Sequence, residues 1–219
     1  MRVLVAIPAF NETQTIARVI EGARQFLPDI LVVDDGSVDD TGAVAAAAGA
    51  TVRRLAANQG KGAALKAGFS YAREHGYDYV VTLDGDGQHD PADIANVLPL
   101  LHDFDLILGN RMDDSRPIPW LRLAANRIAN LCVSLACWRK IEDSQTGFRA
   151  YSVALLRTLR LDGSRYDLET EVIIKAARAG LRIGHCRIRT IYAGEISRFD
   201  KIRDSLQFLG VLARTMLRP

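Results

Sequence analysis

The stretch YVVTLDGDGQHDP, residues 79–91, runs from apolar to polar within a few positions. Tyr79-Val80-Val81-Thr82-Leu83 has the length and β-branched content of a buried strand. It finishes in two carboxylates one residue apart, Asp84 and Asp86, set among Gly85, Gly87, Gln88 and His89. Asp90-Pro91 then predicts a helix start, with Asp as cap and Pro at the first helical position. A strand delivered to the surface and ended by acids reads as the edge of a ligand site. The alternative is a simple turn, since Asp-Gly pairs favour turns.

The rest of the chain repeats the pattern. Residues 3–8 predict a strand, and Thr13 to Leu27 carries Ile16, Val19, Ile20, Ala23 and Phe26 at helical spacing, with Asn11 or Thr13 available as cap. Strands follow at DILVVDDGS, at Ala50 to Leu55, at Asp105 to Gly109 and at Arg182 to Thr190. Helices are expected at Thr41–Ala48, Ala63–Glu74, Pro119–Trp138, 152–160, 167–179 and Asp200–Leu217, and EDSQTGFRAY reads as a loop. This alternation predicts an α/β fold, a Rossmann-like, mostly parallel sheet with helices on both faces in one domain.

The bulk numbers fit. The chain has 219 residues, 48% hydrophobic and 25% charged, with net charge +2. Cys132, Cys137 and Cys186 are too few and scattered for a disulfide framework or zinc cluster, and fit thiols of a reducing cytoplasm. The N-terminal apolar run ends at Pro8 and reads as a strand rather than a signal peptide, and no stretch approaches the length of a membrane span. Residues 181–219 hold eight Lys/Arg against three Asp/Glu, while residues 1–180 are net negative. That asymmetry fits an anionic partner or surface, or a solvated helix face.

In an open parallel sheet, ligands gather beyond the carboxyl ends of the strands. Three predicted strands end there with polar residues, in PAFNE (8–12), VDDGS (33–37) and DGDGQ (84–88). An acidic edge of this kind suits Mg²⁺ or Mn²⁺ shared with phosphate oxygens. Other acid and glycine motifs fail on spacing. An EF-hand loop from Asp84 would place His89 where Gly belongs and Ala95 where Glu belongs, and a P-loop ending in Gly60-Lys61 has Leu55 for its first Gly and Gly62 for Ser/Thr. The DGDG loop is also compatible with an aspartyl-phosphate-type phosphatase, whose later Lys and acidic pair cannot be placed.

Taken in order, IPAFNE, VVDDGSVDDT, NQGKGAALKAGF, LDGDGQHDP, GNR and DSQTGFRAY resemble family 2 glycosyltransferases of the GT-A fold. The similarity is greatest to the dolichyl- and polyprenyl-phosphate hexosyltransferases and covers residues 3 to about 200. The resemblance implies a GT-A domain over 1–199 and an amphipathic C-terminal helix over 200–219. It implies a nucleoside diphosphate sugar donor of GDP-mannose or UDP-glucose type and a Mg²⁺ or Mn²⁺ ion. Pro8, Phe10, Glu12, Val33 and Asp35 would line the nucleotide pocket. Asp84, Gly85, Asp86 and Gln88 would hold metal and diphosphate, with Asp84, Asp86 and Gln88 as the metal set and Asp86 the chief ligand. Arg111 and Arg198 would reach phosphates, and Asp143 with the TGFR turn would border sugar and acceptor. Tyr192 stands where the family often has Arg.

The implied reaction is inverting hexosyl transfer to a polyprenyl or dolichyl phosphate, with a soluble acceptor or a non-catalytic nucleotide-sugar module as alternatives. An alcohol acceptor would need Asp143 or Glu169 as base, whereas a phosphate dianion would not. Expected partners are the nucleotide sugar, the lipid phosphate, a membrane face from the cytoplasmic side through the C-terminal helix, and a second copy, with no nucleic acid. Trp120 and Trp138 read as core or interface anchors, and His89 and His185 as structural.

Overall fold

The computed structural model describes residues 1–112, 120–163, 165, 167–189, 191 and 210, and for Leu121 and Arg122 the backbone alone. The elements run β1 (Val3–Ala9), α1 (Ile16–Arg24), β2 (Ile30–Asp34), α2 (Thr41–Ala47), β3 (Thr51–Arg54), α3 (Lys61–Glu74), β4 (Tyr79–Thr82), α4 (Ile94–Val97), β5 (Leu106–Asn110), α5 (Trp120–Cys137), β6 (Arg149–Ser152), α6 (Val153–Thr158), α7 (Asp167–Arg178) and β7 (Ile183–Arg187). Short 3₁₀ turns flank α4.

The strands form one seven-stranded sheet in the order β3-β2-β1-β4-β6-β5-β7. β1 is parallel to β2 and to β4, β2 to β3, and β5 to β7. Alternate side chains explain the layering. Leu4 and Ala6, with Leu31, Val33 and Val80, pack under α3, α5, α6 and α7. Val3, Val5 and Ile7, with Ile30, Val32 and Val81, pack under α1, α2 and α4. β1, β2 and β4 are therefore apolar on both faces, as the sequence runs predicted.

Two expectations change. EDSQTGFRAY is not all loop: its last residues begin β6, which runs antiparallel to both β4 and β5. The proposed caps of α1 serve elsewhere. Thr15 is the N-cap residue and makes no side-chain cap hydrogen bond. Asn11, at φ 56°, accepts the Val38 amide on its Oδ1, and Thr13 N donates to Asp39. Both residues tie the loop after β1 to the loop after β2. The helix expected at 200–217, apart from helical Gly210, lies outside the described residues, as do Tyr192 and Arg198.

Candidate active site

The strand order places the site. β2, β1 and β4 are adjacent and parallel, so their carboxyl ends share one edge. The chain leaves β1 toward β2 and later returns on β1's other side as β4, which opens a crevice between the two departures. The segment after β1 (Phe10–Glu12) and the segment after β4 (Asp84–Gln88) border that crevice. Thr15, the N-cap residue of α1 that follows the first segment, ties it to the second: its hydroxyl donates to the Gly85 carbonyl at 2.6 Å. A Cβ on Gly85 would stand 3.3 Å from Ala9 and 3.4 Å from Glu12.

Asp84 is held from three directions. Lys61 Nζ lies 2.6 Å from its Oδ1, His89 Nε2 lies 3.5 Å from its Oδ2, and the TGFR turn closes over it. Gly147 is needed for that last approach, because an added Cβ would come within 2.7 Å of the Asp84 carboxyl carbon. Burial alone would raise this carboxyl, but the Lys61 ammonium and the His89 hydrogen bond hold it well below the usual carboxylate range. Lys61 also reaches Glu169 Oε2 at 3.3 Å, at the start of α7. His89 is buried against Phe148, and its Nδ1 has no hydrogen-bond partner among the described residues.

Asp86 is the opposite case. Burial and the neighbouring Asp84 charge both push its carboxyl up. Its Oδ1 accepts the Gln88 amide at 2.9 Å, and the Gln88 carbonyl accepts the amide of Ile191. One carboxylate is thus matched by an internal cation while its neighbour carries an under-compensated charge. Among the described residues no group of three or more His, Cys, Asp or Glu could hold a metal by itself. A hard divalent ion here would take Asp86 as protein ligand and complete its shell with water and phosphate oxygens, the habit of Mg²⁺. The residues fit an ion of that kind.

The other candidates divide. Arg111, directly after β5, grips Asp143 with two parallel bonds, Nε to Oδ2 at 2.8 Å and Nη2 to Oδ1 at 3.1 Å. Asp143 is fully buried, and its Oδ1 also accepts the Gln145 amide. Asp35 directs its two oxygens at the backbone amides of Gln59 and Gly60, both at 2.8 Å, which secures the turn into α3. Val33 is 1% exposed within the core, so it forms floor rather than wall. Pro8, Phe10 and Glu12 are half-buried at the crevice.

Sequence reasoning missed Lys61 as part of the site. A usable signal existed: a cation in the first turn of a helix opposes the helix dipole and implies an acidic partner. Glu169 was weighed only as a base, and it emerges as an ion-pair partner. Arg149, 1% exposed, donates to the carbonyls of Thr146, Glu169 and Ser144 and so shapes the turn over Asp84.

Residues 4–160 match the family described as Glycosyl transferase family 2. An undecaprenyl-phosphate mannosyltransferase of Micrococcus luteus is 33% identical over 196 residues, covering 84% of this chain and 81% of its own. A UDP-N-acetylglucosamine–dolichyl-phosphate N-acetylglucosaminyltransferase of Methanococcus voltae is 31% identical, covering 87% and 86%. Among solved structures, the glucosyl-3-phosphoglycerate synthase of Mycobacterium tuberculosis, crystallised with Mn²⁺, UDP-glucose and phosphoglyceric acid, superposes with TM-score 0.74 and 26% identity over 100% of this chain and 80% of its own. Sheet order, acidic crevice and similarity agree: the chain has the GT-A fold, belongs to glycosyl transferase family 2 and is a glycosyltransferase.

Proposed function

We propose that the protein moves a hexosyl group, with inversion, from a nucleoside diphosphate sugar of GDP-mannose or UDP-glucose type to a polyprenyl or dolichyl phosphate, working peripherally at a membrane face. The observation that carries this reading is the unequal pair at the end of β4, with Asp84 matched by Lys61 and Asp86 under-compensated. A divalent cation on Asp86 would supply electrostatic stabilisation for a departing diphosphate. The loop after β1 and the Asp35-secured turn lie where a nucleotide would rest, and the metal set reduces to Asp86, with Asp84 and Gln88 positioning it. Arg198 is proposed to reach a phosphate from outside the described residues.

The acceptor follows from what the acids already do. Asp143 spends its oxygens on Arg111, and Glu169 pairs with Lys61. Either would have to part from its cation to take a proton from an alcohol. A phosphate monoester has a second pKa of about 6 and attacks as a dianion without a base. Asp143 then acts by aiming Arg111 at charge in the cleft. The named lipid-phosphate relatives support this reading. The phosphoglycerate-utilising neighbour is the reason to test a soluble acceptor beside it.

A thermal-shift panel of GDP, UDP and their sugars, with and without Mn²⁺, tests the donor half. One nucleotide should stabilise the protein in a Mn²⁺-dependent way, and Asp86→Asn should remove the Mn²⁺-dependent part; no nucleotide effect at all would sink the reading. For the acceptor half, Asp143→Asn should lower kcat by about 10²-fold without abolishing transfer to a lipid phosphate. Complete loss would return Asp143 to the role of base.

A further inference from the structure

We propose that the outer face of α5 is a membrane-docking surface that seats the protein on an anionic bilayer beside the cleft. Among the described residues eight large hydrophobic side chains are exposed, and five belong to this face: Trp120, Ile128, Leu131 and Leu135 on the helix, and Trp138 directly after it. At about 100° per residue the four helical positions fall within an arc of about 80°, a continuous apolar stripe. Opposite it, Val133, Ala136 and Cys137 are buried in the core, where α5 packs on α7. The helix is therefore already packed, and among the described residues its stripe has no covering partner.

Trp138 is the most telling residue. It is 93% exposed and sits at φ 52°, the left-handed position at a helix end that ordinarily goes to Gly. A bulky aromatic there gains almost no packing from the described residues. Trp120 and Trp138 stand about 27 Å apart along the helix, one at each end of the stripe, and indoles favour the boundary between lipid and water.

Charge selects the occupant. Along and just after this stripe the sequence holds Arg127, Arg139 and Lys140, with no acid from Trp120 to Ile141. Arg127 and Lys140 are exposed. Pairing this face with its own copy across a two-fold axis would bring its exposed cations together, and Glu142, the acid that follows the segment, is already paired with Lys140 at 3.0 Å. An anionic lipid surface complements both the cations and the stripe. No helix among the described residues is long and apolar enough to cross a membrane, so the contact is tangential.

The inner side of α5 links this surface to the cleft. Asn130 donates to the Glu142 carbonyl and accepts from the amide and hydroxyl of Ser144, each at 2.8 Å. Between those two residues stands Asp143, the partner of Arg111. A bilayer on the outer face would lie about one helix diameter, ~10 Å, from that pair. The inference goes beyond the proposed reaction, since a transferase using a soluble acceptor has no need of such a surface.

The chain contains two tryptophans, both on this face, so its indole emission reports on this surface alone. Mixed phosphatidylglycerol–phosphatidylcholine vesicles should shift the emission to the blue, brominated acyl chains should quench it, and added salt should weaken both effects. Leu131→Glu with Leu135→Glu, at exposed positions that leave the fold intact, should weaken vesicle binding about tenfold or more. Unchanged emission at saturating vesicle concentration would overturn the proposal. So would a blue shift on concentrating the protein without lipid, accompanied by doubled mass, which would give the face to a second copy. Transfer to polyprenyl phosphate in detergent without vesicle binding would sink the docking surface and leave the proposed reaction standing.

Discussion

Lys61 joins two carboxylates that the sequence separates by 85 positions, Asp84 at 2.6 Å and Glu169 at 3.3 Å. All three side chains are mostly buried, so removing the ammonium leaves two acids without their cation. Lys61→Met should cost about 2–4 kcal/mol in chemical denaturation. Adding Asp84→Asn to the same chain should recover part of the loss, because the two changes act through one ion pair. Strict additivity would show that the pair contributes no coupling. The acids were legible because they end an apolar run. Lys61 was not, because NQGKG reads first as a turn, and only the fold brings α3 to the end of β4. Gly147 shows the same limit: its need for bare space arises from Asp84, which is 63 residues away.

β6 is the element that sequence reasoning lost. Arg149-Ala150-Tyr151-Ser152 is four residues long and begins with a charge, so no period-2 apolar pattern marks it. The guanidinium is tolerated because three carbonyls take its protons, at 2.7 to 2.9 Å. Arg149→Lys keeps the charge but cannot hold that fan of acceptors. It should lower unfolding free energy by about 2–3 kcal/mol, and Arg149→Ala by more. A Lys variant as stable as the parent would show that charge rather than geometry is what matters there. The long, strongly periodic elements were legible in advance. α1, α3, α5 and the core strands stand where apolar spacing put them, while the caps of α1 were misassigned because their polar side chains bind a neighbouring loop instead.

Across the whole molecule, acid sensitivity should centre on His185. Burial pushes this imidazole down, and its Nε2 accepts the Glu142 amide at 3.2 Å, which requires the neutral ring. With the folded value below the unfolded one of about 6.5, the unfolded chain takes up the proton first. Stability should therefore fall as pH drops below about 6.5 and level off beneath the lowered folded value. His185→Gln should flatten that slope when Tm is followed against pH, and an unchanged slope would assign it to other groups. Asp84, held low, adds a loss only at more acid pH, beginning as the pH falls through the ordinary carboxylate range. The sheet order has a mechanical corollary. One half of the sheet, β1 to β4, carries the acidic crevice, the other, β5 and β7, includes the strand that leads to Arg111, and β6 is laced to both, along its β4 and β5 margins. The two halves cannot swing apart like jaws without unlacing that single ribbon, so substrates must come and go past the rim while the floor beneath them stays closed.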